Sequence, residues 1–205
     1  MSDYVFKFLT LGNSSVGKTS VLLRITEETI PKSMISTLGI DFKIKELNLS
    51  SGKKVKLILY DTAGQEKFRH MTKSYYNKVN VILLVYDVTR ADSFKSLSYW
   101  IEEVSERVDS KNPEFDIVII GNKCDLVDKR AVSKQEAQSF ADKYNMNYIE
   151  VSAWTGEGFD ELFKFFEIFA NKIITFREST DSSIQSSSEI LLEKTPVSKK
   201  KVKCC

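Results

Sequence analysis

The chain has 205 residues, 42% hydrophobic and 28% charged, which suits one medium domain or a smaller domain with a tail. Six Lys+Arg and four Asp+Glu fall in residues 177–205, leaving 24 of each sign in residues 1–176, so the formal +2 sits in the tail and a strongly basic nucleic-acid-binding domain is disfavoured. No 18-residue apolar run offers a membrane span, MSDYVFKFLTLG lacks a secretory leader's basic start, and cysteines only at 124, 204 and 205 make no disulfide framework or zinc pattern, so an intracellular, reduced protein is expected.

YVFKFLTL (4–11) is an apolar run of β formers stopped by a glycine turn, and residues 18–28 follow as a helix. IDFKIKELNL (40–49) alternates like a half-exposed strand. SSGK (50–53) turns the chain into VKLILY (55–60), so 40–60 is predicted as an antiparallel hairpin. NVILLVYD (80–87) and FDIVIIGN (115–122) are nearly continuous aliphatic runs, suited to strands buried on both faces. Between them, residues 93–108 have helical periodicity, with Trp100 expected in the core. Ser133 opens a capping box and a helix to about Tyr144. NYIEVSA (147–153) is the last strand and 159–176 the last helix. Beyond it, the serine-rich text has no packing period and is expected to be flexible. Strand and helix alternate, which predicts an α/β open sheet, mostly parallel with an antiparallel edge hairpin.

GNSSVGKTS after the first strand satisfies G-x-x-x-x-G-K-[ST] through Gly12, Gly17, Lys18 and Thr19. Such a loop turns backbone N–H groups around phosphate oxygens, and the helix behind it adds partial positive charge. Lys18 is expected to reach the β and γ phosphates and the Thr19 hydroxyl to bind Mg²⁺. A glycine turn with an incidental Gly-Lys-Thr is the bland alternative; the strand before and helix after argue against it.

Three more segments end predicted strands. Asp61 in DTAGQE can hold Mg²⁺ through water, and Gly64 can bring its N–H to the γ-phosphate. In NKCD, the Asp125 carboxylate can accept from guanine N1–H and its 2-amino group, a donor pair adenine lacks. The backbone N–H of Ser152-Ala153 can meet the guanine 6-oxygen. Ligands bind at the C-terminal ends of strands in open α/β sheets, where all of these lie.

GNSSVGKTS (12–20), STLGIDFK (36–43), LYDTAGQEKFR (59–69), LLVYDVT (83–89), GNKCDL (121–126), VSA (151–153) and the final CC together resemble the small Ras-like GTPases, and within them the Rab family, over residues 4–176. The resemblance implies a P-loop NTPase fold with a six-stranded, mostly parallel sheet, one antiparallel edge strand and helices on both faces. It implies a GTPase domain over 1–176 and a hypervariable tail over 177–205. The nucleotide-binding set becomes Ser14, Ser15, Val16, Gly17, Lys18, Thr19, Ser20, Thr37, Gly64, Asn122, Lys123, Asp125, Ser152, Ala153 and Trp154, with GTP and GDP as substrate and product. Mg²⁺ is expected on Thr19, Thr37 and Asp61, with Gln65 orienting the attacking water. Residues 30–42 and 62–78 become the nucleotide-sensing switches, and Ile40, Phe42, Tyr60 and Tyr75 an effector surface. No arginine stands where it would act as a finger in cis, so slow intrinsic hydrolysis is expected.

Partners implied are effectors, an exchange factor, a GTPase-activating protein, a GDP-dissociation inhibitor and a prenylation escort, with no nucleic acid. Geranylgeranyl groups on Cys204 and Cys205, beside the lysines of KKKVK, would anchor the chain to the cytoplasmic face of an intracellular or plasma membrane, with a soluble cytosolic pool. Two departures stand out. Ile30 takes the place of an aromatic residue that covers guanine in the family, and Trp154 replaces a lysine or leucine. Trp154 either stacks on the base opposite the Lys123 stem or covers the first turn of the last helix. His70 marks neither a metal cluster nor a base, and Cys124 reads as a small buried hydrophobe. The competing functions are a GTP-holding module with negligible hydrolysis and an ATP-using P-loop kinase.

Overall fold

A computed structural model describes residues 4–31, 40–62, 76, 79–109 and 111–192. Six strands form one sheet: β1 (Tyr4–Leu11), β2 (Ile40–Asn48), β3 (Lys54–Thr62), β4 (Val81–Asp87), β5 (Asp116–Asn122) and β6 (Asn147–Val151). Their spatial order is β2-β3-β1-β4-β5-β6. Among the described residues only the β2–β3 pair is antiparallel, and it is the expected edge hairpin. Among the described residues the α-helices are α1 (Lys18–Ile25), α2 (Ala91–Lys95), α3 (Leu97–Ser105), α4 (Lys134–Lys143) and α5 (Phe159–Leu192).

Period-two alternation splits the core into two layers. Phe6 and Phe8 of β1, Val81, Leu83 and Val85 of β4, and Val118 and Ile120 of β5 face α1 and α5. Leu9 and Leu11, Ile82, Leu84 and Tyr86, and Ile117 and Ile119 face α2, α3 and α4. The aromatic face of α5 meets β1 edge-on, with Phe8 and Phe166 centroids 4.9 Å apart. The aliphatic runs are therefore buried on both sides, and the C-terminal ends of β1, β3, β4, β5 and β6 converge on one rim.

Local chemistry corrects three boundaries. The first helix stops at Ile25 rather than residue 28: Thr26 Oγ1 bonds back to Leu22 and Leu23 carbonyls, and Glu27 takes a left-handed φ of 60°. The helix expected over 93–108 is two pieces meeting at Ser96, whose hydroxyl donates to the Asp92 carbonyl at 2.9 Å. The last helix runs on past Phe176 to Leu192. Arg177 joins the domain by pairing with Glu114, Nε–Oε1 2.7 Å, and Glu178 by accepting from Tyr4 and Lys53. Ser133 caps α4 as expected, accepting from Glu136 N at 3.1 Å. No helix among the described residues is long and apolar enough to cross a membrane.

Candidate functional site

Loop 12–17 leaves β1 and crosses the end of β4. Gly12 allows the crossing: its φ is 138°, and a Cβ there would lie 2.0 Å from the Val85 carbonyl oxygen. Gly17 ends the loop at φ 93°, where a Cβ would lie 2.3 Å from Asn122 Nδ2. The loop carbonyls are tied off by side chains. Lys18 Nζ donates to Gly12 O at 3.0 Å and Asn13 O at 2.9 Å. Arg90 donates to Ser14 O at 3.1 Å, Lys123 to Ser15 O at 3.1 Å, and Asn122 Nδ2 to Val16 O at 2.9 Å. In a trans peptide the N–H points opposite the C=O. Outward-held carbonyls at 14–16 therefore aim the Ser15, Val16 and Gly17 N–H groups to the other side of the chain, making an anion-seeking concavity at the head of α1.

Lys18 is buried, and burial pushes its ammonium down to about 8, with the Asp61 carboxylate pulling the other way. Among the described residues its hydrogen bonds go to two carbonyls, with the Asp61 carboxylate as the nearby opposite charge, which suits a cation that would meet phosphate. Thr19 Oγ1 donates to Asp61 Oδ2 at 2.6 Å, bringing a hydroxyl from α1 and a buried carboxylate from β3 to one point. Two hard oxygen donors suit Mg²⁺, which takes few protein ligands beside phosphates and water. Among the described residues, no cluster of three or more His, Cys, Asp or Glu offers an all-protein cage.

Asn122 joins this half of the site to the other. Only 2% exposed, its amide donates to Val16 O while Oδ1 accepts from Ala153 N at 3.1 Å. Lys123 follows in left-handed backbone (φ 69°), and its ammonium pairs with Asp87 Oδ2 at 2.5 Å. Asp87, 1% exposed at the end of β4, also accepts from Thr89 N and Oγ1 through Oδ1. Arg130 pins the loop carrying Asp125 to β6 by a bidentate pair with Glu150, 2.8 and 3.0 Å. Arg24 of α1 holds the next loop, donating to the Ala153 carbonyl at 2.8 Å and the Trp154 carbonyl at 2.5 Å. Ser152 is buried and accepts from Thr155 N.

These loops enclose a cavity of about 340 Å³ lined by Gly17, Ser20, Ile30, Asn122, Lys123, Asp125, Leu126, Ala153 and Trp154. Ile30 and Trp154, the two departures, thus line the same cavity. Trp154 is 63% exposed at its edge. Cys124 is buried, as expected, and burial with Glu157, Glu150 and Asp125 nearby pushes its thiol up to about 11.

The structure therefore gathers Ser14 through Ser20, Asp61, Asn122, Lys123, Asp125, Ser152, Ala153 and Trp154 on one rim. Thr37, Gly64, Gln65, Tyr75, Cys204, Cys205 and the Ile40 side chain lie outside the described residues. Phe42, 58% exposed, stands opposite Tyr60 across the β2–β3 ladder. Trp100 is corrected: it is half-buried, and its indole N–H donates to Asn13 Oδ1 at 3.0 Å in the phosphate loop. Arg24, Asp87 and Arg90 were missed. Asp87 had a signal, since it stands in the LLVYDVT segment; the arginines act across long sequence separations and leave no local trace.

The chain is similar to known proteins over the same stretch of sequence. The Ras family model matches residues 7–173. Ras-related protein Rab-8B of Homo sapiens is 44% identical over 161 residues, covering 78% of this chain and 76% of its own. GTP-binding protein YPT1 of Saccharomyces cerevisiae is 45% identical over 161 residues, covering 78% and 76%. Ras-related protein Rab-8A of Mus musculus is 45% identical over 151 residues, covering 74% and 71%.

Proposed function

The chain belongs to the Rab family of Ras-type small GTPases, and from that premise we propose how its own residues hold the nucleotide and run the cycle. It binds guanine nucleotide, hydrolyses GTP to GDP and phosphate, and serves membrane trafficking. A GTP-holding module without hydrolysis is not favoured. The observation that carries the residue-level reading is Asn122, whose one amide fixes both the phosphate loop and the loop beneath the base.

In this reading the N–H groups of Ser15, Val16 and Gly17, with Lys18, hold the phosphates. Asp125 accepts from the guanine edge, and a lost partner there discriminates by roughly 10⁴-fold or more. The Ser152-Ala153 backbone meets the 6-oxygen, and Lys123 and Trp154 flank the ring. Thr19, Asp61 and Thr37 would hold Mg²⁺, which when bound adds positive charge beside the phosphate oxygens. Gly64 contacts the γ-phosphate and Gln65 orients water. With no arginine finger in cis, hydrolysis is slow, and an activating protein adds roughly 10³–10⁵-fold.

Residues 30–42 and 62–78 report the nucleotide state to effectors through Ile40, Phe42, Tyr60 and Tyr75. An exchange factor, a GDP-dissociation inhibitor and a prenylation escort complete the partner set. Geranylgeranylated Cys204 and Cys205, aided by Lys199, Lys200, Lys201 and Lys203, hold the cytoplasmic face of an intracellular or plasma membrane, with a cytosolic pool. The test is to load purified protein with GTP and Mg²⁺, then follow bound GTP, bound GDP and free nucleotide. Bound GTP passing slowly to bound GDP is expected, with ATP failing to compete. Release of intact GTP, or equal competition by ATP, would overturn the site assignment.

A further inference from the structure

The α2–α3 segment grips the outer flank of the phosphate loop, using partners 76 to 87 residues away in sequence. Arg90, immediately before α2, donates from Nη1 to Ser14 O at 3.1 Å. Asp92 aligns the same guanidinium from behind, with Nη2–Oδ2 2.6 Å and Nε–Oδ1 3.3 Å. Asn13 is held at both ends of its amide. Nδ2 donates to Ser96 Oγ at 2.9 Å, and Oδ1 accepts from Trp100 Nε1 at 3.0 Å. Ser96 is fixed in turn by donating to Asp92 O. Two adjacent residues of the loop, one by its backbone and one by its side chain, are therefore bolted to one helical unit.

We propose that Arg90 and Trp100 are positioning residues for the nucleotide phosphates, and that the seating of α3 sets how tightly the phosphate loop closes. The reasoning rests on the nucleotide-binding reading above. Turning the Ser14 carbonyl toward Arg90 turns the Ser15 N–H the opposite way, because the peptide between them is planar and trans. Without the guanidinium, that peptide is free to rotate and the Ser15 N–H leaves the phosphate. Trp100 acts one residue earlier: its indole N–H fixes the Asn13 side chain, and with it the point where the loop leaves Gly12. Neither residue touches the nucleotide. Both act by keeping backbone donors aimed before the ligand arrives, which saves the cost of ordering them on binding.

The test uses the full chain loaded with GDP, comparing Arg90→Met, Trp100→Phe, Asn13→Ala and the Trp100→Phe/Asn13→Ala pair. Met keeps the stem of Arg90 and Phe keeps the ring of Trp100, so packing changes little while the donors are lost. Arg90→Met and Trp100→Phe are each expected to release GDP roughly 3- to 10-fold faster, the range of one lost hydrogen bond to the loop, and Asn13→Ala, which loses two, at least as fast. Trp100→Phe should add nothing further in the Asn13→Ala background, because its route runs through that amide. The phosphorus resonances of bound GDP should shift in Arg90→Met. Unchanged release rates would overturn the proposal. So would a full Trp100→Phe effect without Asn13, or faster release with unmoved phosphorus resonances, which would mark general loosening. Failure of the unsubstituted protein to retain GDP would instead sink the nucleotide-binding reading itself.

Discussion

Trp154→Ala separates the two roles left open for this indole. A side chain covering the first turn of α5 would be largely buried, yet Trp154 is 63% exposed and lines the cavity with Ile30, Lys123 and Asp125. Its backbone is fixed independently by Arg24, which bonds the 153 and 154 carbonyls and survives the substitution. Removing an exposed ring from the empty protein should therefore change stability by no more than about 0.5 kcal/mol. Removing a stacking platform from the loaded protein should cost roughly 1–3 kcal/mol. At about 1.4 kcal/mol per tenfold, GDP release should accelerate roughly 5- to 150-fold. The assay follows a fluorescent GDP analogue leaving the protein into excess GDP, alongside denaturant unfolding of the nucleotide-free form. A release rate within about twofold of the parent would refute the stacking argument. A loss of stability in the empty protein comparable to the release effect would refute the exposure argument.

Asp125→Asn should weaken GDP binding by roughly 10⁴-fold or more and turn preference toward a base carrying an oxygen in place of the 2-amino group, read by competition with xanthosine diphosphate. Lys18 should make binding pH-dependent. Its ammonium is pushed down to about 8 in the empty site, below the unfolded value, so the buried charge destabilises the empty fold below pH 8. That cost fades as pH rises through 8 toward 10.5. Phosphate restores the charge, so binding should take up a proton above about pH 8 and GDP affinity should fall there; calorimetry in buffers of different ionisation heat reads it, and proton release would contradict it. Cys124, with its thiol at about 11, should hold roughly one thiolate per thousand molecules at pH 8. Peptide mapping after brief iodoacetamide treatment should find it unmodified until the protein is unfolded, and rapid native labelling would contradict its burial.

The fold was largely legible because its signals are local. The aliphatic runs of β4 and β5 left no solvent-facing side, and Gly12, Gly17, Lys18 and Thr19 lie within eight residues of one another. The phosphate and base motifs could be ordered along the rim for the same reason. What escaped was what depends on distant partners. Trp100 sits on an apolar helical face and so looked like core, yet its N–H finds a partner 87 residues away. The break at Ser96 was hidden because α2 and α3 share one continuous apolar period. Arg24 and Arg90 bond to backbone carbonyls, which carry no residue identity for a motif to record. The extent of α5 was missed since serine and threonine argue weakly for helix, while pairings at Arg177 and Glu178 support the turns beyond Phe176.

Because one buried amide bonds Val16 on one side and Ala153 on the other, the two halves of the pocket are coupled through a single side chain. Prising the phosphate loop outward would take away one of the Ala153 loop's supports and leave the Arg24 bonds to the 153 and 154 carbonyls to hold it. On the nucleotide-binding reading, departure of the ligand would disturb both loops together. On the same reading, a displacement of Val16 would be felt at Ala153 through that one side chain, with no contact to the base required.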